Sequence, residues 1–276
     1  MWTGFLLVIL YNLIMEFSIL VYNVLFNKAF LKLGNLTEKY KPDLICLQEV
    51  NTGKQNLKTL NKYGYSLADF ANSFINFGNI YGVATFYNPK KFSFVRSNSI
   101  NLSFSLSEVV FTLFQLILGL KKPKTVLRTD LIHLPSKKTL VVCNSHLIYI
   151  ASNALRISLI KQALNSLNIN KKSPFIICGD FNYYPYSRRK LELAMKKFGL
   201  LEATKNILPT IKFSKDGKYE QYNLMQRFFI KLINRSRIAQ RIKTDYAFYR
   251  NLRFSASERV DSRLSDHYPI IASFKF

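Results

Sequence analysis

Polar residues follow several short apolar runs of the sequence, at the points where strands are expected to end. They come after ILVY, ICLQ, LVVC and FIICG, and they are Asn23, Glu49, Asn144, His146, Asp180 and Asn182. A carboxylate at the end of a buried strand costs desolvation energy that an exposed Lys or Ser would avoid. Because α/β proteins place their chemistry where strands end in loops, the repeated pattern predicts one site built from these side chains.

Two motifs near the C-terminus add acidic residues and an imidazole. TDYAFY offers Asp245 before one predicted strand, and LSDHYPI offers Asp266 and His267 before the last strand. No serine or cysteine stands in a nucleophile-elbow setting, so this set of carboxylates, amides and imidazoles predicts metal-assisted hydrolysis at phosphorus. Mg²⁺ is the expected cation, with Mn²⁺ as a substitute, because a hard cation that keeps several waters needs only Glu49 and a second carboxylate.

The motif GDFN places Asp180 and Asn182 two residues apart. Residues two apart in an extended segment share one face. The spacing therefore predicts that the carboxylate of Asp180 and the amide of Asn182 converge, while Phe181 points the other way into apolar surroundings.

Short apolar runs alternate with helix-like stretches along the chain, and this alternation indicates the elements that must position these residues. The predicted strands are FSILVYNV, DLICLQEV, GVATFY, TLVVCNSHL, PFIICGDFN, TDYAFY and PIIASFKF. Helical spacing of apolar residues predicts helices at residues 154–167 and 189–198, and a periodic segment spans 29–40. Strands and helices that alternate without repeats indicate an α/β or α+β class.

Length and composition indicate one large folded domain. The chain has 276 residues, of which 49% are hydrophobic, and this excludes a disordered chain, a collagen-like repeat and a small disulfide scaffold. The excess of Lys and Arg gives a formal net charge of +24, which favours an anionic partner or substrate. Cys46, Cys143 and Cys178 lie singly in apolar runs and are predicted to be buried thiols.

The N-terminus and two internal segments allow more than one interpretation. Residues 1–16 form an apolar leader, which is interpreted as a short membrane-associating segment, a segment packed on the domain, or a start-site artefact. Residues 109–120 form a buried helix or an interfacial anchor. A basic insertion at 205–243 contains a predicted cationic amphipathic helix, which either packs on the domain with a solvated basic face or binds a polyanion.

The chemistry-bearing motifs, taken in order, resemble the endonuclease/exonuclease/phosphatase superfamily, which includes DNase I, apurinic endonucleases, sphingomyelinases and inositol polyphosphate phosphatases. The motifs are YNV, PDLICLQEV, CNSHL, GDFN, TDYAFY and SDHYPI, and six in this order form a specific signature. The C-terminal part most resembles a largely uncharacterised bacterial branch. The resemblance implies a DNase I-like α+β fold over residues 17–276, a four-layer α/β/β/α sandwich of two packed mixed β-sheets flanked by helices.

The same resemblance implies which residues bind the metal and activate water. Glu49 is then the principal Mg²⁺ ligand, Asp266 supports it and Asn23 lies near the metal. Asp180 orients or deprotonates the attacking water.

The remaining site residues are implied to act on the phosphate. Asn182 and His146 contact the scissile group, and Asn144 is an accessory residue on the strand of His146. His267 hydrogen-bonds the phosphate as charge develops, and Asp245 holds that imidazole in one tautomer.

The function predicted from the sequence is Mg²⁺-dependent hydrolysis of a phosphoester bond in nucleic acid by a monomeric, cytoplasmic enzyme. A phospholipid or inositol-phosphate phosphodiesterase at an anionic membrane surface, held peripherally or by the N-terminus, is the first alternative. A catalytically inactive anion-binding member is the second.

His133 is predicted to be an ordinary strand residue, and Asp130, Glu258 and Asp261 are predicted to be surface charges.

Overall fold

Two mixed β-sheets pack face to face in the part of the chain that the structure describes. The computed structural model describes residues 15–76, 78–100, 102, 125–149, 151–184, 186–212, 227, 231, 242–262 and 264–276. The strands are β1 (Glu16–Asn23), β2 (Leu44–Asn51), β3 (Ser66–Asn76), β4 (Asn79–Tyr87), β5 (Phe92–Ile100), β6 (Thr125–His133), β7 (Lys138–His146), β8 (Phe175–Asp180), β9 (Leu201–Glu202), β10 (Asp245–Arg250), β11 (Arg253–Arg259) and β12 (Ile270–Lys275).

Each sheet, within the described ranges, has six strands and one central parallel pair. The first sheet has the order β11-β12-β1-β2-β4-β3, and the second has the order β5-β6-β7-β8-β10-β9. The parallel pairs are β1 with β2 and β7 with β8, whereas the neighbouring strands run antiparallel. In each parallel pair, the carboxyl ends of two strands meet at the same edge of the sheet.

The α-helices of the described residues lie on the outer faces of the sheets. They are α1 (Leu33–Tyr40), α2 (Lys54–Leu57), α3 (Asn153–Ser166) and α4 (Arg188–Lys196). Short 3₁₀ helices span Phe30–Lys32 and Lys58–Tyr63. The side-chain oxygen of Ser152 caps α3 by accepting a hydrogen bond from the backbone N–H of Leu155, as is usual for serine at a helix N-terminus.

Alternation along the strands divides the core into three apolar layers. On β1, Ile19 and Val21 pack between the sheets, whereas Leu20 and Tyr22 pack beneath the helices of the first sheet. The outer face of the second sheet packs against α3 and α4. Because a strand shows alternate side chains to opposite faces, this pattern gives the predicted four-layer sandwich, which is confirmed.

The seven predicted strands and the helices predicted at 154–167 and 189–198 are confirmed to within a few residues, but β6 and several edge strands escape prediction. The strands β3, β5 and β11 contain many polar residues and expose much of their length. Edge strands that face solvent lack the apolar alternation by which strands are recognised in a sequence. The polar sequences of β3, β5 and β11 therefore do not predict strands.

Two predictions about single residues have different outcomes. The three cysteines are buried free thiols, as predicted. Asp130 is not a surface charge, because it is 3% exposed and pairs with Arg96 and Arg128 at 2.7 Å each. The two arginines compensate the charge that burial would otherwise make costly.

Several segments singled out in the sequence lie mainly outside the described residues. These are the leader at 1–16, the apolar run at 109–120, and residues 213–241 of the basic insertion at 205–243, within which only Arg227 and Lys231 are described, both in helical conformation. The helices of the described part of the chain are all too short or too polar to traverse a bilayer.

Candidate active site

Strand register brings three of the predicted site residues side by side on the second sheet. His146 at the end of β7 is the register partner of Asp180 at the end of β8. Asp245 at the start of the antiparallel strand β10 is the partner of Asp180 on the other side. Residues that lie far apart in the sequence therefore meet at one edge of the sheet.

The carboxyl ends of β1 and β2 bring Asn23 and Glu49 to the same place from the first sheet. The Asn23 Nδ2 atom lies 3.3 Å from Glu49 Oε1 and 3.1 Å from Asp180 Oδ2. Its Oδ1 atom accepts a hydrogen bond from the backbone N–H of Leu25 at 3.1 Å. The amide group is thus oriented by the backbone and links carboxylates from both sheets.

Glu49 occupies a β-bulge within β2 rather than the end of the strand. The register with β4 shifts between Gln48 and Val50, and Glu49 has a φ of +56°. Bulges and left-handed conformations outside glycine are found where a side chain is re-aimed for a functional purpose. The backbone N–H of Phe26 donates to Glu49 Oε2 at 3.1 Å, which fixes the carboxylate.

The environment of Glu49 opposes a negative charge on its carboxyl group. Burial raises the pKa of Glu49 to about 7, and the charge of Asp266 adds to this effect. Asp266 is itself buried, and its Oδ1 atom lies 3.2 Å from the hydroxyl of Ser265. The predicted pair of metal ligands therefore lies close enough for one charge to affect the other.

Asp180 lies at the centre of the site. Its Oδ2 atom is 3.6 Å from His146 Nε2 and 3.7 Å from His267 Nε2. Its Oδ1 atom accepts a hydrogen bond from the backbone N–H of Asn182 at 2.9 Å. Burial raises the pKa of Asp180 against the opposing effect of His267, so this carboxylate is a better proton acceptor than a solvated aspartate.

His267 is held by a carboxylate behind the ring. Its Nδ1 atom lies 2.8 Å from Asp245 Oδ2, and the hydroxyl of Thr244 donates to the same oxygen at 3.0 Å. Burial alone would lower the pKa of His267, but the negative charges of Asp245 and Asp180 outweigh it and hold the pKa well above its usual value. This imidazole therefore carries a positive charge at neutral pH, with Nε2 directed at Asp180.

His146 has the opposite electrostatic character. Its Nε2 atom lies 3.8 Å from Glu49 Oε1, and the ring packs against Phe74 with the ring centroids 6.5 Å apart. Its buried Nδ1 atom has no hydrogen-bond partner among the described residues. Burial lowers the pKa of His146 to about 4, so the ring is neutral.

The two predicted asparagines on the second sheet behave differently from expectation. Asn182 has a φ of +49°, so the prediction of an extended segment is wrong there, and its Nδ2 atom donates to the carbonyl of Leu147 at 2.9 Å. Asn144 joins the sheets instead of entering the site, because its Nδ2 atom donates to the carbonyls of Leu47 and Ala84. Phe181 is fully buried, as predicted.

Two residues that support the site, Ser265 and Thr210, were not predicted from the sequence. The hydroxyl of Ser265 lies 2.8 Å from the carbonyl of Asn23 and accepts from the backbone N–H of His267 at 3.1 Å. The hydroxyl of Thr210 accepts from the backbone N–H groups of Thr244 and Asp245. Ser265 stands next to Asp266 within SDHYPI, so the motif itself could have pointed to it, whereas Thr210 lies far from any motif.

The donor set of the site fits a hard divalent cation. Glu49 and Asp180 form no ion pair with lysine or arginine in the part of the chain described, and the basic side chains nearest to them there are the imidazoles of His146 and His267. Carboxylate and amide oxygens are the ligands that Mg²⁺ and Mn²⁺ prefer. A second arrangement, Asp180 with Asp245 and His267, brings three ligand atoms within 4.8 Å of one another.

Solved structures share this fold over nearly the whole chain. The human Nocturnin catalytic domain with bound sulfate is 18% identical, with 95% of this chain and 93% of that chain covered and a TM-score of 0.65. TDP2 from D. rerio, complexed with single-strand DNA product, is 15% identical, with 95% and 99% covered and a TM-score of 0.64. ANGEL2, described as a 2′,3′-cyclic phosphatase, is 18% identical, with 94% and 95% covered and a TM-score of 0.62.

Sequence comparison gives the family. No curated protein matches this sequence. Residues 20–267 match the profile of the Endonuclease/Exonuclease/phosphatase family, and this range includes every predicted site residue. The motifs, the two packed sheets and this match agree, and the chain belongs to the endonuclease/exonuclease/phosphatase family, whose members hydrolyse phosphoester bonds.

Proposed function

We propose that this protein is a Mg²⁺-dependent phosphodiesterase that hydrolyses a phosphoester bond in nucleic acid. The observation that carries the proposal is the convergence on Asp180 Oδ2, where Asn23, His146 and His267 place side-chain nitrogens at 3.1, 3.6 and 3.7 Å. An amide, a neutral imidazole and a charged imidazole around one buried carboxylate provide the groups that phosphoester hydrolysis requires. All of them belong to one chain, so we propose a monomeric enzyme.

Glu49 and Asp266 are the proposed ligands of the cation, with Asn23 beside them. This position is preferred over Asp180, Asp245 and His267, because His267 is hydrogen-bonded to Asp245 and its raised pKa keeps it protonated. A protonated imidazole is not a metal ligand. A bound Mg²⁺ supplies positive charge that polarises the phosphoryl group.

Asp180 is the proposed base for the attacking water. Its raised pKa makes the carboxylate able to accept a proton, and the backbone N–H of Asn182 holds Oδ1, which leaves Oδ2 directed towards the site. The amide of Asn23 holds Oδ2 from the first sheet. The carboxylate is thus oriented before the substrate arrives, as general-base catalysis requires.

His267 and His146 are the proposed partners of the phosphoryl oxygens. The charged ring of His267 donates a hydrogen bond from Nε2 to an oxygen on which negative charge develops, and Asp245 maintains that charge. The neutral ring of His146 contributes a hydrogen bond without adding charge. The side chain of Asn182 already bonds to Leu147, so its proposed phosphate contact uses what remains of its donor capacity.

Charge and the comparisons favour nucleic acid as the substrate. The chain carries a net charge of +24, and neutralisation of phosphates by lysine and arginine supplies much of the affinity of proteins for nucleic acids. Among the similar structures, one is a complex with single-strand DNA product and another is named a cyclic phosphatase.

A substrate panel tests this proposal. Purified protein is incubated with plasmid DNA, single-stranded DNA and RNA, with Mg²⁺ or with EDTA. We expect cleavage of at least one substrate that EDTA abolishes, and loss of that cleavage in Glu49→Gln. Glu258→Gln is the matched control, because Glu258 is exposed on β11. Absence of metal-dependent cleavage on all three substrates would contradict the proposal, and release of headgroups from anionic liposomes instead would point to the membrane alternative.

A further inference from the structure

Three tyrosines form an accessible aromatic surface on the second sheet's side of the site. Tyr149 is 43% exposed in the loop after β7, and Tyr186 is 62% exposed in the loop after β8. Tyr184 and Tyr186 have nearly parallel rings, with an interplanar angle of 10° and centroids 6.3 Å apart. Exposed aromatic surface costs solvation free energy and commonly marks a binding site.

The tyrosines border the proposed reaction centre. Their loops begin directly after His146 and Asp180, the last residues of β7 and β8. Desolvation raises the pKa of the Tyr149 phenol, and the charge of Asp180 is among the smaller causes that raise it further. Tyr149 thus combines an exposed ring with proximity to the charge of Asp180. Burial and the charge of Asp180 likewise raise the pKa of Tyr184, against the opposing effect of Arg156.

A buried arginine fixes the loop that carries Tyr149. Arg156 on α3 is fully buried, and its guanidinium donates to the carbonyl of Ile148 at 3.1 Å and to that of Tyr149 at 2.5 Å. The guanidinium carbon also lies 4.8 Å from the centre of the Tyr184 ring. No carboxylate among the described residues forms an ion pair with Arg156, so the loops offset the cost of burying this charge with carbonyl hydrogen bonds and a cation–π contact.

Asn153 fixes the second loop to the same helix. Its Nδ2 atom donates to the carbonyls of Tyr184 and Tyr186 at 3.0 and 2.8 Å, and its Oδ1 atom accepts from the backbone N–H of Tyr184 at 3.2 Å. Arg156 donates to the same Oδ1 atom at 3.1 Å. The backbone of both tyrosine-bearing loops is thus held by one pair of buried side chains, Arg156 and Asn153.

We propose that Tyr149, Tyr184 and Tyr186 form a stacking platform that binds a base of single-stranded nucleic acid beside the scissile phosphate. The inference rests on the proposed function and adds the form of the substrate. A flat ring held in place at low entropy cost stacks on any base, whichever its identity. Bases in a duplex have their faces covered by neighbouring pairs, so the platform selects single strands or unpaired ends.

Binding measurements test the platform separately from hydrolysis. A labelled single-stranded oligodeoxynucleotide is compared, by fluorescence anisotropy in EDTA, with an oligomer of the same length in which every base is absent and every phosphate remains. We expect the base-bearing oligomer to bind between about 5-fold and 100-fold more tightly. Tyr186→Ala removes most of this difference, whereas Tyr186→Phe keeps it, because phenylalanine retains the ring.

A matched control and defined failures complete the test. Phe94→Ala removes an exposed aromatic ring from β5, near the end of that strand that pairs with His133 and away from His146, and it is expected to leave both affinities unchanged. Equal affinity of the wild type for the two oligomers would overturn the platform. The platform would also be overturned if Tyr186→Ala lost affinity for anionic vesicles but kept its affinity for the base-bearing oligomer. These affinities test the platform independently of the proposed function, because they can be measured even if the protein cleaves no substrate.

Discussion

The two imidazoles that flank Asp180 occupy similar positions but have opposite charge states. Both place Nε2 close to Asp180 Oδ2, at 3.6 Å for His146 and 3.7 Å for His267. Burial lowers the pKa of His146 to about 4, whereas the pKa of His267 is well above its usual value. Contact with the shared carboxylate cannot produce this difference, since it is the same for both rings.

The difference arises from what lies behind each ring. Asp245 accepts from Nδ1 of His267, so burial of that ring is accompanied by a negative charge. Behind His146, Nδ1 has no partner in the described part of the chain, and Phe74 covers the ring. The comparison shows that the groups around the distal nitrogen set the charge of an imidazole, and that the site holds one charged donor and one neutral donor.

Removing the carboxylate shared by the two rings gives the largest expected effect. In Asp180→Asn the amide keeps the shape of the side chain but cannot accept a proton from water. We expect kcat on the cleaved substrate to fall by about 10³-fold to 10⁴-fold. Asp261→Asn, which changes an exposed aspartate outside the site, serves as the control. Retention of more than a tenth of wild-type kcat in Asp180→Asn would exclude this residue as the base.

Removing the charge behind His267 makes this ring more like His146. In Asp245→Asn the ring loses the negative charge that stabilises its protonated form, so its pKa falls. A group that must be protonated loses activity as pH rises through its pKa, and the alkaline decline of the kcat–pH profile therefore moves to lower pH. At neutral pH we expect kcat to fall by about 10²-fold to 10³-fold, measured in steady-state assays between pH 5 and 10.

The kcat–pH profile also distinguishes the role of His146 from that of His267. His146→Gln keeps a hydrogen-bond donor and removes a ring that is neutral throughout this range, so we expect a smaller loss of kcat and no shift of the alkaline limb. If His146→Gln moved the alkaline limb and Asp245→Asn did not, the assignment of charge to the two rings would be reversed.

A further prediction concerns Gly179, the residue before Asp180 on β8. Gly179 has a φ of +130°, and a Cβ atom there would lie 2.0 Å from the carbonyl oxygen of Ser145 on the neighbouring strand. Gly179→Ala is expected to lower the free energy of unfolding by about 2–4 kcal/mol. Gly199 also has a positive φ, of +71°, but open space around it, so Gly199→Ala is expected to cost about 1 kcal/mol. Urea denaturation measures both, and equal losses would show that the contact with Ser145 is relieved by movement of the strand.

Much of the site was predictable because its residues stand at strand ends in recognisable motifs. His146, Asp180 and Asp245 are brought side by side by strand register, and register follows from the apolar pattern. The bulge at Glu49 and the left-handed conformation of Asn182 were not predictable, since a local pattern does not reveal where a ladder is interrupted. Thr210 supports the site from a segment without a motif, which only the tertiary structure reveals.

The fold was also predictable in part from the sequence. Most non-edge strands of both sheets have strongly apolar sequences and were found. The strand β6, whose sequence is interrupted by Arg128 and Asp130, was missed, as were β3, β5 and β11, which are polar and exposed. The burial of Asp130 was not predicted, because one of its arginine partners, Arg96, lies on the neighbouring strand β5. The other partner, Arg128, lies two residues away on the same strand. Burial of a charge depends on such partners, and their arrangement is a property of the folded chain.

Calorimetric titration of Mn²⁺ into the protein tests the central claim most directly, namely that Glu49 belongs to a cation site. The carboxyl group of Glu49, with its pKa raised to about 7 by burial, must lose its proton before it binds a cation. We predict that affinity of the wild type is about tenfold higher at pH 8 than at pH 6, that Glu49→Gln loses this affinity at both pH values, and that Glu258→Gln behaves like the wild type. Binding of Mn²⁺ by Glu49→Gln as tightly as by the wild type would contradict the account.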